Sequence, residues 1–484
     1  MKDKIDMAAD IPQSILANKD LIPSQQTWSW YNIFAFWMSD VHSAGGYIFA
    51  GTLFSLGLAG WQVFISLIAG ILIILVLANI IGVPSQKFAI PFPVISRMTY
   101  GVFGSNIPAL IRGIIAIVWY GIQTYLASAA LMVVVLYEFP SLISYHESSY
   151  FGLSPLGWGC FLVMWLLQTA LFLCRMEAIR RFMDWAGPIV YLAMLGLMVL
   201  IVGRAGWENI SFTLSETEMS VSQTAWTMLL GAALVVSYFA GPTLNFGDFS
   251  RYAKTISDMK KGNFWGLPVN FLFFSLISVV TISGTRAVFG ELIVDPIAVM
   301  GRLDNKPFPT VFRGRLDNKA AVLLLGLTML VATVGVNIVA NFVSAAFDIS
   351  NIFPKYISWR KGGMLASIVS VLILPWNLFS SPEVIHLTVD LLAALIGPVY
   401  GILIVDYYLV KRGKISVADL YSTSSTSLYW YRHGVNWQAV GALLPAGAAS
   451  ILVMLLDNGT GWANFTFFIG GILAAAIYLC IARR

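Results

Sequence analysis

Phe34-Ala-Phe-Trp-Met-Ser-Asp-Val-His-Ser-Ala-Gly-Gly46 sits in the middle of the first apolar stretch of this chain. It carries two ionisable side chains, Asp40 and His42, and a glycine pair where an uninterrupted membrane helix would carry none. A second such stretch is Val236-Ser-Tyr-Phe-Ala-Gly-Pro-Thr-Leu-Asn-Phe-Gly-Asp248, with Gly241-Pro242 where the helix should continue. Proline has no N–H to donate and clashes with the preceding turn. Irregular backbone at membrane depth is tolerated only inside protein or beside water. The two stretches fall in the first and sixth apolar spans, the leading members of two groups of five. Gly- or Pro-interrupted segments at corresponding places in two halves point to a transporter's binding site.

The surroundings of these stretches are those of a membrane protein. Of 484 residues, 58% are hydrophobic and 11% charged, against about 25% charged in soluble domains. That excludes a soluble enzyme, a nucleic-acid binder and a disordered scaffold. A helix needs about 20 apolar residues to cross the hydrocarbon. Twelve candidates meet this: 29–55, 60–83, 106–137, 155–174, 184–203, 225–247, 264–288, 320–349, 362–381, 383–410, 437–456 and 462–482. The expected fold class is therefore all-α, with 12 transmembrane helices. Residues 1–28 read as a cytoplasmic tail, 29–203 and 225–410 as two five-helix repeats, and 437–482 as two accessory helices. Met1 to Gln26 is polar and mixed in charge, without the apolar core of a cleavable signal.

Basic residues in short loops set the orientation. With both termini inside, 21 of the 29 Lys and Arg face the cytoplasm. Five of the other eight lie in 301–319, where Gly301-Arg-Leu-Asp-Asn-Lys306 recurs as Gly314-Arg-Leu-Asp-Asn-Lys319. That is a tandem duplication in a surface connection, with no assigned role. Cys160, Cys174 and Cys480 lie in apolar runs at no metal-ligand spacing. No metal site, cofactor or nucleic-acid partner is expected. The expected partners are the bilayer and a small solute, the location is the plasma or inner membrane, and the expected state is a monomer.

A charge at the bilayer centre costs at least about 2.5–3.5 kcal/mol, so it faces a cavity or a partner. Asp40 falls in the first interruption, and His42 could share a proton with it. Asp248, Asp348 and Asp406 sit near span ends beside Arg251, Lys355 and Lys411, and read as solvated or paired. Arg112 reads as snorkelling outward. In span three, Trp119 and Gln123 are four apart and project from one helical face. An aromatic plane beside a carboxamide suits a flat polar heterocycle, which stacks on the one and pairs an edge with the other. Asn337 and Asn341 in span eight, again four apart, need partners at that depth, on neighbouring helices or on a ligand.

In ordered combination, several motifs carry a family resemblance over nearly the whole chain. They are Asn18-Lys-Asp-Leu-Ile-Pro23, Trp37-Met38, Pro91-Phe-Pro-Val-Ile-Ser-Arg97, Trp119-Tyr-Gly-Ile-Gln-Thr124, Met176-Glu-Ala-Ile-Arg-Arg-Phe182, Asp248-Phe-Ser-Arg-Tyr252, Leu374-Pro-Trp376 and Asp406-Tyr-Tyr-Leu-Val410. The sequence resembles the nucleobase:cation symporter-1 family, carriers of uracil, cytosine, allantoin and hydantoins. The resemblance implies a five-plus-five inverted repeat, leucine-transporter-like, with two further helices. It implies that Trp119 stacks one ring face and that the second stacking tryptophan of the family is Phe239 here. It places the substrate amides on Gln123 and Asn341, and a family glutamine on Ser43. Tyr238 and Asn337 complete the expected substrate-binding set. The family sodium site uses span-one carbonyls, here near Ser39 and His42, a span-eight carbonyl, here Ala332, and two hydroxyls that fall on Gly335 and Val336. Neither residue has a side-chain oxygen, so protons are expected as the coupling ion in place of sodium, with Asp40 or His42 as carriers. The resemblance thus implies a symporter that imports a planar nitrogen heterocycle by alternating access, with the span-ten segment Leu391 to Pro398 as gate. No catalytic residues are expected: four scattered histidines and no HExxH or CxxC argue against a membrane enzyme. An amino-acid symporter of the same architecture is the alternative.

Overall fold

The computed structural model describes residues 16–42, 44–215, 217–302, 319–379 and 382–482. The first span is two helices, α1 (Trp30–Val41) and α2 (Ala44–Phe54). The backbone N–H of Ser29 donates to Asn32 Oδ1 at 2.9 Å and fixes the start of α1. His42, at φ −83° and ψ 80°, leaves the helical region and ends it. Then come α3 (Gly60–Phe88), α4 (Asn106–Glu138), α5 (Pro155–Leu173), α6 (Met176–Ala205) and α7 (Val221–Leu244). α8 (Ile256–Phe264) runs through a π turn, Trp265–Val269, into α9 (Asn270–Phe289). α10 (Lys319–Val336) runs through a second π turn, Asn337–Phe342, into α11 (Val343–Ile352). α12 (Trp359–Leu372), α13 (Pro382–Val405), the π turn Asp406–Val410, α14 (Trp437–Leu456) and α15 (Thr466–Ala482) complete the bundle. Side-chain oxygens of Ser154, Ser220, Thr255, Ser358 and Asn436 accept a first-turn N–H of α5, α7, α8, α12 and α14. Such caps satisfy donors that a helix start would otherwise leave bare.

The sixth span departs from the sequence reading. α7 stays helical through Gly241-Pro242 and ends only at Leu244, so there is no break at 240–243. Two carbonyls of the stretch accept side-chain donors as well. Thr243 Oγ1 donates to the Phe239 carbonyl at 2.6 Å, and Arg112 Nε donates to the Gly241 carbonyl at 3.1 Å.

Among the described residues, nine helices are long and apolar enough to cross a membrane, and Gly45–Phe54 and Ala394–Val410 are shorter apolar ones. The three candidate spans missing from the nine are the first, ninth and tenth. The first is divided at His42, and the ninth is the 14-residue α12 followed by a 3-10 turn, Pro375–Phe379. Most of the Gly-Arg-Leu-Asp-Asn-Lys duplication lies outside the described residues, as does Ser43.

Two backbones touch where α13 meets α15. A Cβ on Gly401 would collide with the carbonyl of Gly471, and one on Gly397 with that of Phe467. Small residues four apart are how membrane helices approach this closely. At the other side of the bundle, two buried arginines bind the N-terminal segment. Arg251 donates to the carbonyls of Asp20 at 3.1 Å and Ile22 at 2.5 Å and to Ser24 Oγ at 3.2 Å. Arg97 donates to the Leu16 carbonyl at 3.5 Å, and also to Asn351 Oδ1 at 2.7 Å and the Leu420 carbonyl at 3.1 Å. The segment is thereby tied to spans on both halves.

Candidate functional site

The amides singled out in span eight are anchored on spans three and four. Asn337 Nδ2 is shared among the Tyr120 carbonyl at 3.0 Å, Thr124 Oγ1 at 3.0 Å and Gln168 Oε1 at 2.6 Å. This joins the π turn to α4 and α5. Asn337 is fully buried, and its amide is consumed in holding helices together. Asn341 Nδ2 donates to Asn337 Oδ1 at 3.0 Å, so the inner amide fixes the outer one. Tyr120 packs its ring on Phe342 at 4.5 Å, and Phe342 stacks on Phe172 at 4.1 Å. The π turn presents Asn341 at this place because it widens the helix by one residue; π turns recur at functional sites for that reason.

Trp119 and Gln123 flank Tyr120 on α4. Trp119 is half-buried against the core and is not a lipid-exposed tryptophan such as Trp61. Gln123 is 6% exposed, and its Oε1 is buried with no hydrogen-bond partner. An orphaned buried acceptor costs about 1–3 kcal/mol, which a ligand donor would recover. On α7, Phe239 is fully buried and meets Tyr238 edge-on at 5.1 Å and Phe271 edge-on at 5.3 Å. Tyr238 stacks on Phe49 of α2 at 4.3 Å.

The residue that ties these helices together is Arg112, which the sequence reading sent outward to the membrane surface. It is 1% exposed. Its Nε donates to the Gly241 carbonyl of α7, and its Nη2 to the Ala340 carbonyl of the π turn at 2.6 Å. Arg112 also faces Asp348, Asp248 and Asp40. Charge explains the inward course: three buried carboxylates and two backbone carbonyls attract a guanidinium more strongly than the interface does. Sequence reasoning missed Arg112, Gln168 and Asn245. The signal for all three was the same, a strong hydrogen-bonding side chain inside an apolar helix.

Asp40 and His42 do not share a hydrogen bond. The Asp40 side chain is 3% exposed, with Oδ2 unpartnered. His42 Nδ1 lies 3.1 Å from the Gly187 carbonyl, and its ring sits 4.7 Å from Phe274 and 5.2 Å from Tyr191. Ser39 is buried, its Oγ has no partner, and a Cβ on Gly335 would lie 3.9 Å from its carbonyl oxygen. Ser39 of span one thus lies beside Gly335 of span eight, and Ala332, also in span eight, is buried. The hydroxyl there, Thr333 Oγ1, is bonded to the Met329 carbonyl at 2.8 Å. Asp406 is paired with Lys411 at 2.8 Å. Asp248 and Asp348, read as solvated or paired, are neither. Both are fully buried and no ion pair reaches them among the described residues. In the same residues no group of three His, Cys, Asp or Glu side chains could hold a metal ion.

Comparison with known proteins places this arrangement. Residues 21–474 match the family described as "Permease for cytosine/purines, uracil, thiamine, allantoin". The chain is 32% identical to the allantoin permease of Bacillus subtilis, over 97% of its own length and 93% of the relative's. It is also 32% identical to the purine-uracil permease NCS1 of Arabidopsis thaliana, over 97% of its own length and 78% of the relative's. Among solved structures it shares the fold of MHP1, a nucleobase-cation-symport-1 family transporter in a closed conformation with bromovinylhydantoin bound. The TM-score is 0.75 at 23% identity, over 97% of this chain and 95% of that one. This bears out the all-helical transporter fold and the resemblance read from the motifs. The chain is a multi-span membrane transporter, not an enzyme, and it belongs to the nucleobase-cation-symport-1 family, the permeases for cytosine/purines, uracil, thiamine and allantoin.

Proposed function

We propose that this transporter imports a planar nitrogen heterocycle of the allantoin, hydantoin or uracil type by proton-coupled alternating access. The observation that carries the reading is the buried, partnerless Oε1 of Gln123, one helical turn from Trp119 on the same face of α4. A ring N–H satisfies that oxygen while the ring stacks on the indole. Phe239 supplies the second ring face, without an indole donor. Asn341, held by Asn337, pairs with a further polar edge of the solute. Tyr238 lines the same turn of α7, and Ser43 stands where the family resemblance puts a glutamine. The relatives named for allantoin, purine and uracil, and the hydantoin bound to MHP1, support this substrate class.

One assay tests it: uptake of labelled allantoin, competed by hydantoin, uracil, cytosine and amino acids. Heterocycles are expected to compete and amino acids are not; competition by amino acids alone overturns the reading in favour of an amino-acid symporter. Gln123→Ala is expected to change the order of preference among heterocycles. It removes a directed acceptor and leaves the stacking surface, and a hydrogen bond of this kind is worth roughly 0.5–1.5 kcal/mol. An unchanged competition profile would show that Gln123 does not touch substrate.

For the coupling ion, Gly335 and Val336 offer no oxygen beside the Ser39 and Ala332 carbonyls. A sodium ion needs several hard oxygen ligands, as other hard cations do. Protons, carried on Asp40 or His42, fit better. Uptake in sodium-free buffer is expected to follow an inward pH gradient. Strict dependence on sodium would remove proton coupling. In this reading both termini face the cytoplasm, the protein works as a monomer in the cell membrane, and the repeats 29–203 and 225–410 move against each other while Leu391 to Pro398 gates.

A further inference from the structure

We propose that Asp348, with Asn245 and Asp248, forms a second proton-binding site, beyond the substrate groups and apart from Asp40 and His42. It lies two helical turns along α11 from Asn341, about 10 Å at 1.5 Å per residue. The inference deepens the proton-coupled reading and rests on it for its transport arm alone.

The geometry distinguishes the two carboxylates. Asp248 Oδ1 accepts the backbone N–H of Phe92 at 2.9 Å, and its Oδ2 accepts Asn245 Nδ2 at 3.1 Å. Asp348 Oδ2 receives only the same amide, at 3.3 Å, and its Oδ1 has no partner. Asp348 is nonetheless fully buried. An ionised carboxylate without an ion pair or a full set of donors is very costly to bury, and such a group takes up a proton instead. Asp248, with two donors, is the ionised member; Asp348 is the acid.

The charges around the site leave that proton room. Arg112 spends Nε and Nη2 on the carbonyls of Gly241 and Ala340 and its Nη1 is buried without a partner; the guanidinium as a whole faces both aspartates. Asn245 Oδ1 is likewise buried and unpartnered. Arg251, beside Asp248, spends its three nitrogens on the N-terminal segment, and Tyr252 also faces Asp248. Arg97 spends its guanidinium on Asn351, one turn on from Asp348, and on carbonyls. From the core side, Asp40 faces Arg112. An amide and a guanidinium nitrogen that are unsatisfied at the same place as an acid are the signature of a site whose occupancy changes. With the site closed, the carboxylic acid of Asp348 holds its proton on oxygen. When the helices part and water enters, the O–H bond breaks, the proton leaves to water, and the carboxylate turns to the free Nη1 of Arg112. This site carries one proton in each cycle, in addition to the one on Asp40 or His42.

Infrared spectroscopy of the purified transporter at neutral pH, in H2O and D2O, tests the acid without any substrate. The carbonyl band of a protonated carboxylic acid is expected in the wild type. It should lose one component in Asp348→Asn and shift in Asp348→Glu, which keeps the carboxyl. An unaltered band in both variants overturns the proposal. Asn keeps a group able to accept from Asn245, so the variant is expected to fold, checked by its melting temperature; if it does not, the Glu variant alone decides. In vesicles, a gradient of one pH unit supports at most about tenfold accumulation per coupled proton. Asp348→Asn should lose that accumulation. Full pH-driven accumulation by Asp348→Asn would refute the site. Absence of heterocycle uptake by the wild type would refute the substrate reading only, and the infrared result would stand.

Discussion

Trp119→Ala sharply weakens heterocycle uptake at a normal level of protein in the membrane: that is the expected result, and the largest functional effect of any single change at the site. The indole is half-buried against the core one turn from the partnerless Gln123 oxygen, so it forms a wall and not a lipid anchor. Stacking a base on an aromatic side chain is worth about 1–3 kcal/mol, which corresponds to roughly 5- to 150-fold in affinity. Phe239 cannot replace it, since it sits on another helix. Trp119→Phe should restore part of the affinity by offering a smaller plane. Trp61→Ala, on a lipid-exposed tryptophan, should leave uptake unaltered. Direct binding by thermal shift, with labelled uptake in parallel, checks this; wild-type affinity in Trp119→Ala would refute the stacking site.

The largest effect on stability is expected at Arg112. Arg112→Ala removes the guanidinium bonds to the Gly241 and Ala340 carbonyls and the positive charge facing Asp40, Asp248 and Asp348. Removing one partner of a buried charge cluster typically costs about 3–5 kcal/mol. A total stability of 5–15 kcal/mol is common for folded proteins, so the variant should melt many degrees lower in detergent or fail to accumulate. Arg112→Lys keeps the charge but cannot span both carbonyls, and should fall between. If Arg112→Ala melts with the wild type, the guanidinium is not the tie between α4, α7 and the π turn.

Much of this was legible in the residues. Apolar runs and basic loops dictate a multi-span bundle, since the hydrocarbon excludes unsatisfied backbone. His42 ends α1 where Asp40, His42 and the glycine pair interrupt the pattern. The four-residue spacing of Trp119 and Gln123 put them on one face, as helical period requires. What could not be read is whatever depends on a partner distant in sequence. Pro242 reads as a break, yet α7 carries it within the helix, where Arg112, distant in sequence, donates to the neighbouring Gly241 carbonyl. Arg112 reads as a surface residue because the three aspartates it faces lie in other spans. Asn337 and Asn341 look equivalent in sequence, yet one is a strut and the other is held out by it. A π turn leaves no trace in apolar periodicity, so the widening that presents Asn341 was invisible.

The contact of Gly397 and Gly401 with Phe467 and Gly471 has a consequence for the lipid around the protein. Backbone against backbone leaves no side chain to act as a sliding cushion, so any tilt of α13 carries α15 along as one rigid plank. α15 stands at the rim. In the proposed cycle, in which Leu391 to Pro398 gates, each turnover then alters the protein's outline in the plane of the bilayer, and lateral tension and acyl-chain thickness become determinants of its speed.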